Sequence, residues 1–251
     1  MKRSVFAALA ALLMILFAAP TWAAGVDDAV FSLHAQTTAT KVSQICTSAS
    51  PIDTTGGATP TPCSQYTTSW PLLQGADMYL VVAGVDTGGL SGATFGIDFN
   101  GTAIGDGIDI VSWTLCATGL EFASDGWPAP ATGNLVTWLA PLQCAQLFVP
   151  QTLPTEGIHG VVGSFYVYAY TDDIFRVREH PLLLSDERVA LTTCTGAGKL
   201  FDWLDPNVGI FGRVAFGAGS GCNPCLEPCP NTTPTEPSTW GKIKTRYTKT
   251  R

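Results

Sequence analysis

The chain has 251 residues, of which 13% are charged, with 26 glycines, 17 prolines and a formal net charge of −7 at pH 7. Sparse charge with abundant Gly and Pro excludes a disordered polyelectrolyte or a helical bundle and favours short strands separated by turns. From Ala24 to Gly241 there are 20 acidic residues and six basic ones, a balance of −14 that repels nucleic acid; the last ten residues carry five Lys/Arg and no acid, too short a run to reverse this.

In chain order, MKRSVFAALAALLMILFAAPTWA begins with Lys2 and Arg3, runs apolar from Val5 to Ala19, breaks at Pro20 and ends in small residues. That is the pattern of a secretory signal peptide, expected at 1–23 with cleavage after Ala23. The apolar run is shorter than the ~20 residues of a membrane span, and no later segment is long and apolar enough to make one. A single domain is expected at 24–229, its first strand at 30–34. A Thr/Ser/Pro/Gly-rich loop follows at 36–75, too poor in apolar residues to build much structure. Residues 78–85 form a continuous apolar run, read as a central strand covered on both faces. Further strand signals recur at 93–99, 108–116, 134–139, 145–149, 160–170, 188–192 and 213–217, divided by Gly/Pro/Asp clusters. This spacing predicts an all-β fold, a single disulfide-stapled antiparallel β-sandwich of jelly-roll type with little helix. Only KLFDWL at 199–204 reads as a helical turn. Residues 230–251 form a Pro/Thr linker and a basic tail.

The cysteines Cys46, Cys63, Cys116, Cys144, Cys194, Cys222, Cys225 and Cys229 are even in number, which in an exported chain reads as four disulfides. Closeness in sequence favours Cys46 with Cys63 and Cys116 with Cys144, and leaves the last four open. CNPCLEPC also contains C-x2-C, half of a zinc site, but no second pair of thiols or histidines lies nearby and an oxidising compartment favours disulfides. VSWTLC and VTWLAPLQC each set a Trp ahead of a Cys, so Trp113 and Trp138 are expected to pack beneath one staple joining neighbouring strands.

Three stretches are candidate sites. GLSGATFGIDFNGTAIGDGIDI can be laid on a twelve-residue calcium loop, with Asp98, Asn100, Thr102, Asp106 and Asp109 as oxygen donors. Ala103 stands where that loop needs Gly, however, and Asp109 where it needs a bidentate Glu. Alternation of Ala93, Phe95, Ile97 and Phe99 argues instead for strands joined by Asn-Gly and Asp-Gly turns, leaving calcium as the lesser reading. In VVGSFYVYAY, Tyr166, Tyr168 and Tyr170 share one strand face, a strip on which sugar rings could stack, with Arg176 and Arg178 as its extension or as a solvated edge strand. The tail places Trp240, Ile243 and Tyr247 among five cations, as a docking tag read by a partner or drawn to an acidic surface. His34, His159 and His180 fall in no nucleophile motif, and the adjacent acids Asp172-Asp173 and Asp186-Glu187 point to opposite faces of a strand.

With YLVVAGVD, GLSGATFGIDFNG and IDIVSWTLC in place, the stretch 78–116 resembles the exported bacterial β-sandwich modules typified by cohesins and related carbohydrate-binding modules. The likeness is carried by Gly92, Ala93, Phe95, Ile97 and Phe99 in a G-A-x-F-x-I-x-(Y/F) strand. It implies a sandwich; cohesin-type modules usually lack disulfides, so no ligand or functional residue is carried over. The ending Trp240-Gly241-Lys242-Ile243-Lys244 resembles that of other exported proteins of environmental bacteria and implies no activity. The expected role is non-catalytic: binding or adhesion at the cell surface or in the extracellular matrix, with a glycan or another exported protein as partner. A structural subunit of a surface layer or fibre, self-associating, is the alternative, and a secreted hydrolase the third.

Overall fold

The computed structural model describes residues 29–38, 45–51, 61–85, 89–101, 104–138, 158–181, 190–194, 198–200 and 209–230. The expected signal peptide, the strand at 145–149, Cys144, Thr102 and the basic tail lie outside them. Among the described residues no helix is long and apolar enough to cross a membrane.

Two sheets make the sandwich. The first is antiparallel, in the order β1 (Val30–Thr37), β3 (Ala76–Val85), β8 (Ile158–Ala169) and β5 (Ile108–Leu115). The second is built on β4 (Leu90–Asp98). One edge of β4 pairs with β7 (Thr132–Thr137), which pairs with β6 (Glu121–Ala123). Its other edge is shared end to end by β10 (Ala190–Thr193) and β9 (Asp173–Arg178). Beyond β9 lie β12 (Arg213–Phe216) and the parallel β2 (Ser69–Trp70), and β11 (Gly198–Leu200) flanks β10.

Strand alternation sends one face of each sheet into a common core. Phe31 and Leu33 of β1, Met78, Leu80 and Val82 of β3, and Phe165 and Val167 of β8 meet Phe95 and Ile97 of β4, Phe175 of β9 and Phe216 of β12. Ring contacts cross the interface, Phe31 to Phe95 at 6.0 Å and Phe165 to Phe175 at 5.1 Å. Gly163 makes room for the Trp113 ring of the neighbouring strand β5, which occupies the space a Cβ would need.

The outer face of the four-stranded sheet is half covered, and here the loop departs from its sequence reading. Its described parts, a 3-10 turn at Cys63–Gln65 among them, lie over Tyr79, Val81, Ala83 and Val161 to form a second apolar cluster. β3 is therefore buried on both faces, as the apolar run 78–85 predicts. The polar residues of the loop supply fastenings. Thr67 N donates to His34 Nδ1 at 3.0 Å, so the imidazole proton sits on Nε2 and is given to Ser50 Oγ at 2.8 Å. Tyr79 OH donates to the Ile45 carbonyl at 2.9 Å, and Tyr66 OH meets His159 Nδ1 at 3.1 Å.

Two further expectations are corrected. The bonds Cys46–Cys116, Cys63–Cys225 and Cys222–Cys229 replace the pairs Cys46–Cys63 and Cys116–Cys144; Cys194 is disulfide-bonded as well. Closeness in sequence fails because the loop folds back over the sheet and sets Cys46 beside the end of β5. Trp113 and Trp138 do join the core, but β5 and β7 belong to different sheets and share no staple. Residues 199 and 200, read as the start of a helical turn, belong instead to β11, which pairs with β10, since an open strand edge offers backbone partners that one helical turn lacks.

Candidate binding surface at the open flank

The connection from β4 to β5 crosses from one sheet to the other and is held by one carboxylate. Asp173, 4% exposed, accepts from Asn100 N at 3.1 Å, Asn100 Nδ2 at 2.8 Å, Ile108 N at 3.2 Å and Ile174 N at 2.7 Å. Gly107, at φ +64°, completes the turn. Its N–H donates to Thr171 Oγ1 at 2.8 Å, which donates to Asp106 Oδ1 at 3.0 Å.

This geometry disperses the calcium donors. Asp98 points to the outer face of the second sheet, 3.5 Å from Arg178 and 3.9 Å from Arg176. Asn100 is bound to Asp173, Asp106 to Thr171, and Asp109 Oδ2 lies 3.4 Å from Gly105 N. Among the described residues no three His, Cys, Asp or Glu side chains gather as a metal site.

What the connection does build is a cleft of about 300 Å³ along β5, lined by Phe99, Ile104, Ile108, Ile110 and Pro128, with Asp109 as a polar wall. Its floor is stiff. Trp127, joined to Pro128 by a cis peptide, stands against Phe95 at 5.8 Å, Trp113 at 5.3 Å and Phe165 at 5.8 Å. β5 pairs with β8 and, among the described residues, with no strand on its other edge. A register shift between Ile110 and Ser112 pushes Val111 outward, 61% exposed. Ile104 is 95% exposed. Leu120 and Phe122 are exposed as well, but the register Phe122–Leu135–Thr94 turns Phe122 to the outer face of the second sheet, with Asp98. Trp113 Nε1 bonds Glu121 Oε1 at 2.7 Å, tying the two edges into one flank. Val111 on the bulged strand and Ile104 in the cleft wall are the large exposed apolar side chains placed at this flank. Exposed apolar side chains beside an open strand edge mark an interaction site.

The tyrosine strip borders the same flank, with Asp109 opposite Tyr168 in the ladder. Tyr166 and Tyr168 are half-buried and Tyr170 is exposed. Tyr166 lies over Gly75, Tyr168 OH donates to the Leu73 carbonyl at 2.8 Å, and the rings of Tyr168 and Tyr170 sit 4.9 Å apart at 57°. The three rings therefore form a ridge rather than a plane. Arg176 and Arg178 do not extend it: β9 lies inside the second sheet between β4 and β12, and both guanidinium groups are on the molecule's opposite face. The histidines do not gather at the flank. His34 and His159 sit on either side of Tyr66, with ring centroids 5.1 and 6.0 Å away. Burial lowers the His34 pKa to about 4, and it lowers that of His180, which lies against Gly133. Trp240, Ile243 and Tyr247 lie outside the described residues.

Ile104, Val111, Phe122 and Asp173 have no place among the sequence candidates. A lone Ile within a Gly/Asp loop was the one visible signal; the bulge at Val111 and the reach of Asp173 across 73 positions to Asn100 have none.

No family model matches the chain, and no curated protein matches it. Among solved structures it is similar to the sixth cohesin of scaffoldin B from Acetivibrio cellulolyticus, solved with a Cel5 dockerin (9% identity, TM-score 0.35, 61% of this chain and 94% of that one). It is also similar to a type I cohesin in a cohesin–dockerin complex from Clostridium thermocellum (8%, 0.36, 60% and 89%). A type II cohesin domain from the cellulosome of Acetivibrio cellulolyticus matches in the same way (10%, 0.35, 55% and 85%). The weak resemblance expected from the strand at 92–99 is thus also one of structure, and the site's chemistry is read from its own residues.

Proposed function

We propose that the protein is an exported, non-catalytic binding module that holds an extended segment of another exported protein against the β5 flank. The observation that carries this reading is an edge of β5 that no strand pairs among the described residues, lying beside an apolar cleft. Backbone groups along β5 offer hydrogen bonds to an added strand, and the cleft offers a pocket for alternate side chains of that strand. Asp109 walls the cleft and Glu121 is tied to Trp113 of β5, and residues 89–138 hold five acids without a Lys or Arg, which favours a basic ligand. Export is supported by the amino-terminal pattern and by the disulfides, which persist in oxidising compartments.

Ten-residue peptides alternating Lys with Ile or Val, titrated by fluorescence anisotropy, test this. They should bind, acidic counterparts should not, and Val111→Lys should abolish binding while Asp98→Asn on the far face leaves it intact. Equal binding to wild type and Val111→Lys rejects the flank. A second reading, a glycan held at the Tyr168–Tyr170 ridge beside Asp109, is favoured by those two rings and predicts hits on a glycan array that Tyr170→Ala removes.

A further inference from the structure

We infer that the segment docked on β5 is the protein's own basic tail, residues 240–251, supplied by a second copy, so that copies join head to tail. This rests on the β5 flank being a docking surface for an extended segment. Three observations select this occupant. The first is charge. The tail holds Lys242, Lys244, Arg246, Lys249 and Arg251 and no acid, whereas residues 89–138 hold five acids and no Lys or Arg. One of those five, Asp98, is already matched by Arg176 and Arg178, which leaves Asp109 in the cleft wall and Glu121 beside Trp113 to meet the tail.

The second is pattern. In KIKTRY, Ile243, Thr245 and Tyr247 alternate with Lys242, Lys244 and Arg246. As a strand this puts β-favouring residues on one face and cations on the other. Ile243 and Tyr247 suit the cleft of Phe99, Ile104 and Ile110, and the cations suit Asp109 and Glu121.

The third is where the tail leaves the body. The described chain ends at Pro230, whose carbonyl accepts from Arg213 of β12 at 3.4 Å. β12 lies near β1, with Phe31 bridging to Phe211, on the flank opposite β5. Residues 231–239 include Pro234 and Pro237 and span roughly 28 Å as an extended Pro-rich chain. From β12 to the β5 flank is about 19 Å across four strand spacings, plus about 10 Å of sandwich thickness. Docking on the same copy would draw the linker taut, while a second copy takes the tail with slack. An edge on one side and a donor on the other form a heterologous contact that does not close, which generates linear chains.

The test uses the whole secreted protein in two variants, each checked for folding by near-UV circular dichroism. One blocks the acceptor, Val111→Lys; the other spoils the donor, Ile243→Asp with Tyr247→Asp. Sedimentation across a concentration series should show wild-type mass rising with concentration and falling again in high salt. Each variant alone should stay monomeric, with association weakened at least about tenfold, and an equimolar mixture should form a dimer, since it restores one intact donor with one intact acceptor. A wild type that stays monomeric while its tail crosslinks to Asp109 or Glu121 of the same chain overturns the second-copy assignment. A monomeric wild type whose isolated 240–251 peptide binds neither variant overturns the tail as ligand. The alternating Lys/Ile peptides then report separately on the flank: their Val111-dependent binding keeps the docking surface, and their failure removes both.

Discussion

The covered half of the four-stranded sheet and its open flank are made from similar strands but finished differently. Over β1 and β3, a loop poor in apolar residues is fixed by Cys46–Cys116, Cys63–Cys225, the His34 hydrogen bonds and Tyr79, and buries a second apolar cluster. Along β5, no such cover exists among the described residues, and Val111 and Ile104 stand in solvent. Apolar surface is present in both places. The difference teaches that cover here comes from cross-links and polar fastenings rather than from hydrophobic content. Where they stop, apolar residues remain available for a partner.

The comparison is broken most severely on the covered side. Replacing Cys63 and Cys225 by Ala opens a link between positions 162 residues apart, and unfolding in guanidinium should show a loss of about 4–5 kcal/mol. Peptide binding at β5 should persist below the new midpoint. Asp173→Ala acts at the open flank from beneath. It orphans the buried N–H of Ile108 and releases those of Asn100 and Ile174, and should cost about 3 kcal/mol, with the cleft disordered and peptide affinity lost together.

Acid separates the two regions by a different route. The folded His34 pKa of about 4 lies below the ordinary value near 6.5, so between these limits the unfolded chain binds the extra proton. Stability is therefore whole above about pH 6.5, falls as pH drops, and levels off below about pH 4, a loss approaching 3 kcal/mol. A proton on Nδ1 would face the Thr67 N–H, donor against donor. Chemical unfolding from pH 7 to pH 4 should show this slope, and His34→Gln should flatten it; an unchanged slope in the variant would assign the loss elsewhere. The smallest effect belongs to Val111→Lys: stability within ~0.5 kcal/mol of wild type, yet binding at the flank abolished. A large stability loss there would mean that Val111 is structural.

The strand set and its alternation are legible in the residues themselves. Ala93, Phe95 and Ile97 alternate inward, Tyr166 and Tyr168 outward, and 78–85 is apolar throughout because both faces of β3 are covered. Such features depend on local period and composition, which the chain carries residue by residue. Short or irregular pieces escaped: β2, β6 and β11 are two or three residues long, and their pairing comes from neighbours rather than from propensity. The alternation of β8 also breaks where its register with β3 shifts between Leu80 and Val81, putting Val161 in the outer cluster.

Sequence by itself thus determined the all-β class, the core faces, the even cysteine set and the segregation of acid and base along the chain. Tertiary structure alone decided which cysteines meet, which carboxylate holds the 99–107 connection, and which apolar residues stay bare. Apart from Cys222–Cys229, whose sequence separation is 7, the pairings of Cys46 and Cys63 and the carboxylate's hold on Asn100 depend on contacts between residues 70 to 162 positions apart. Such contacts exist only once the sheets are stacked and the loop has folded back across them, because closing a long chain segment is set by global topology and not by any local preference.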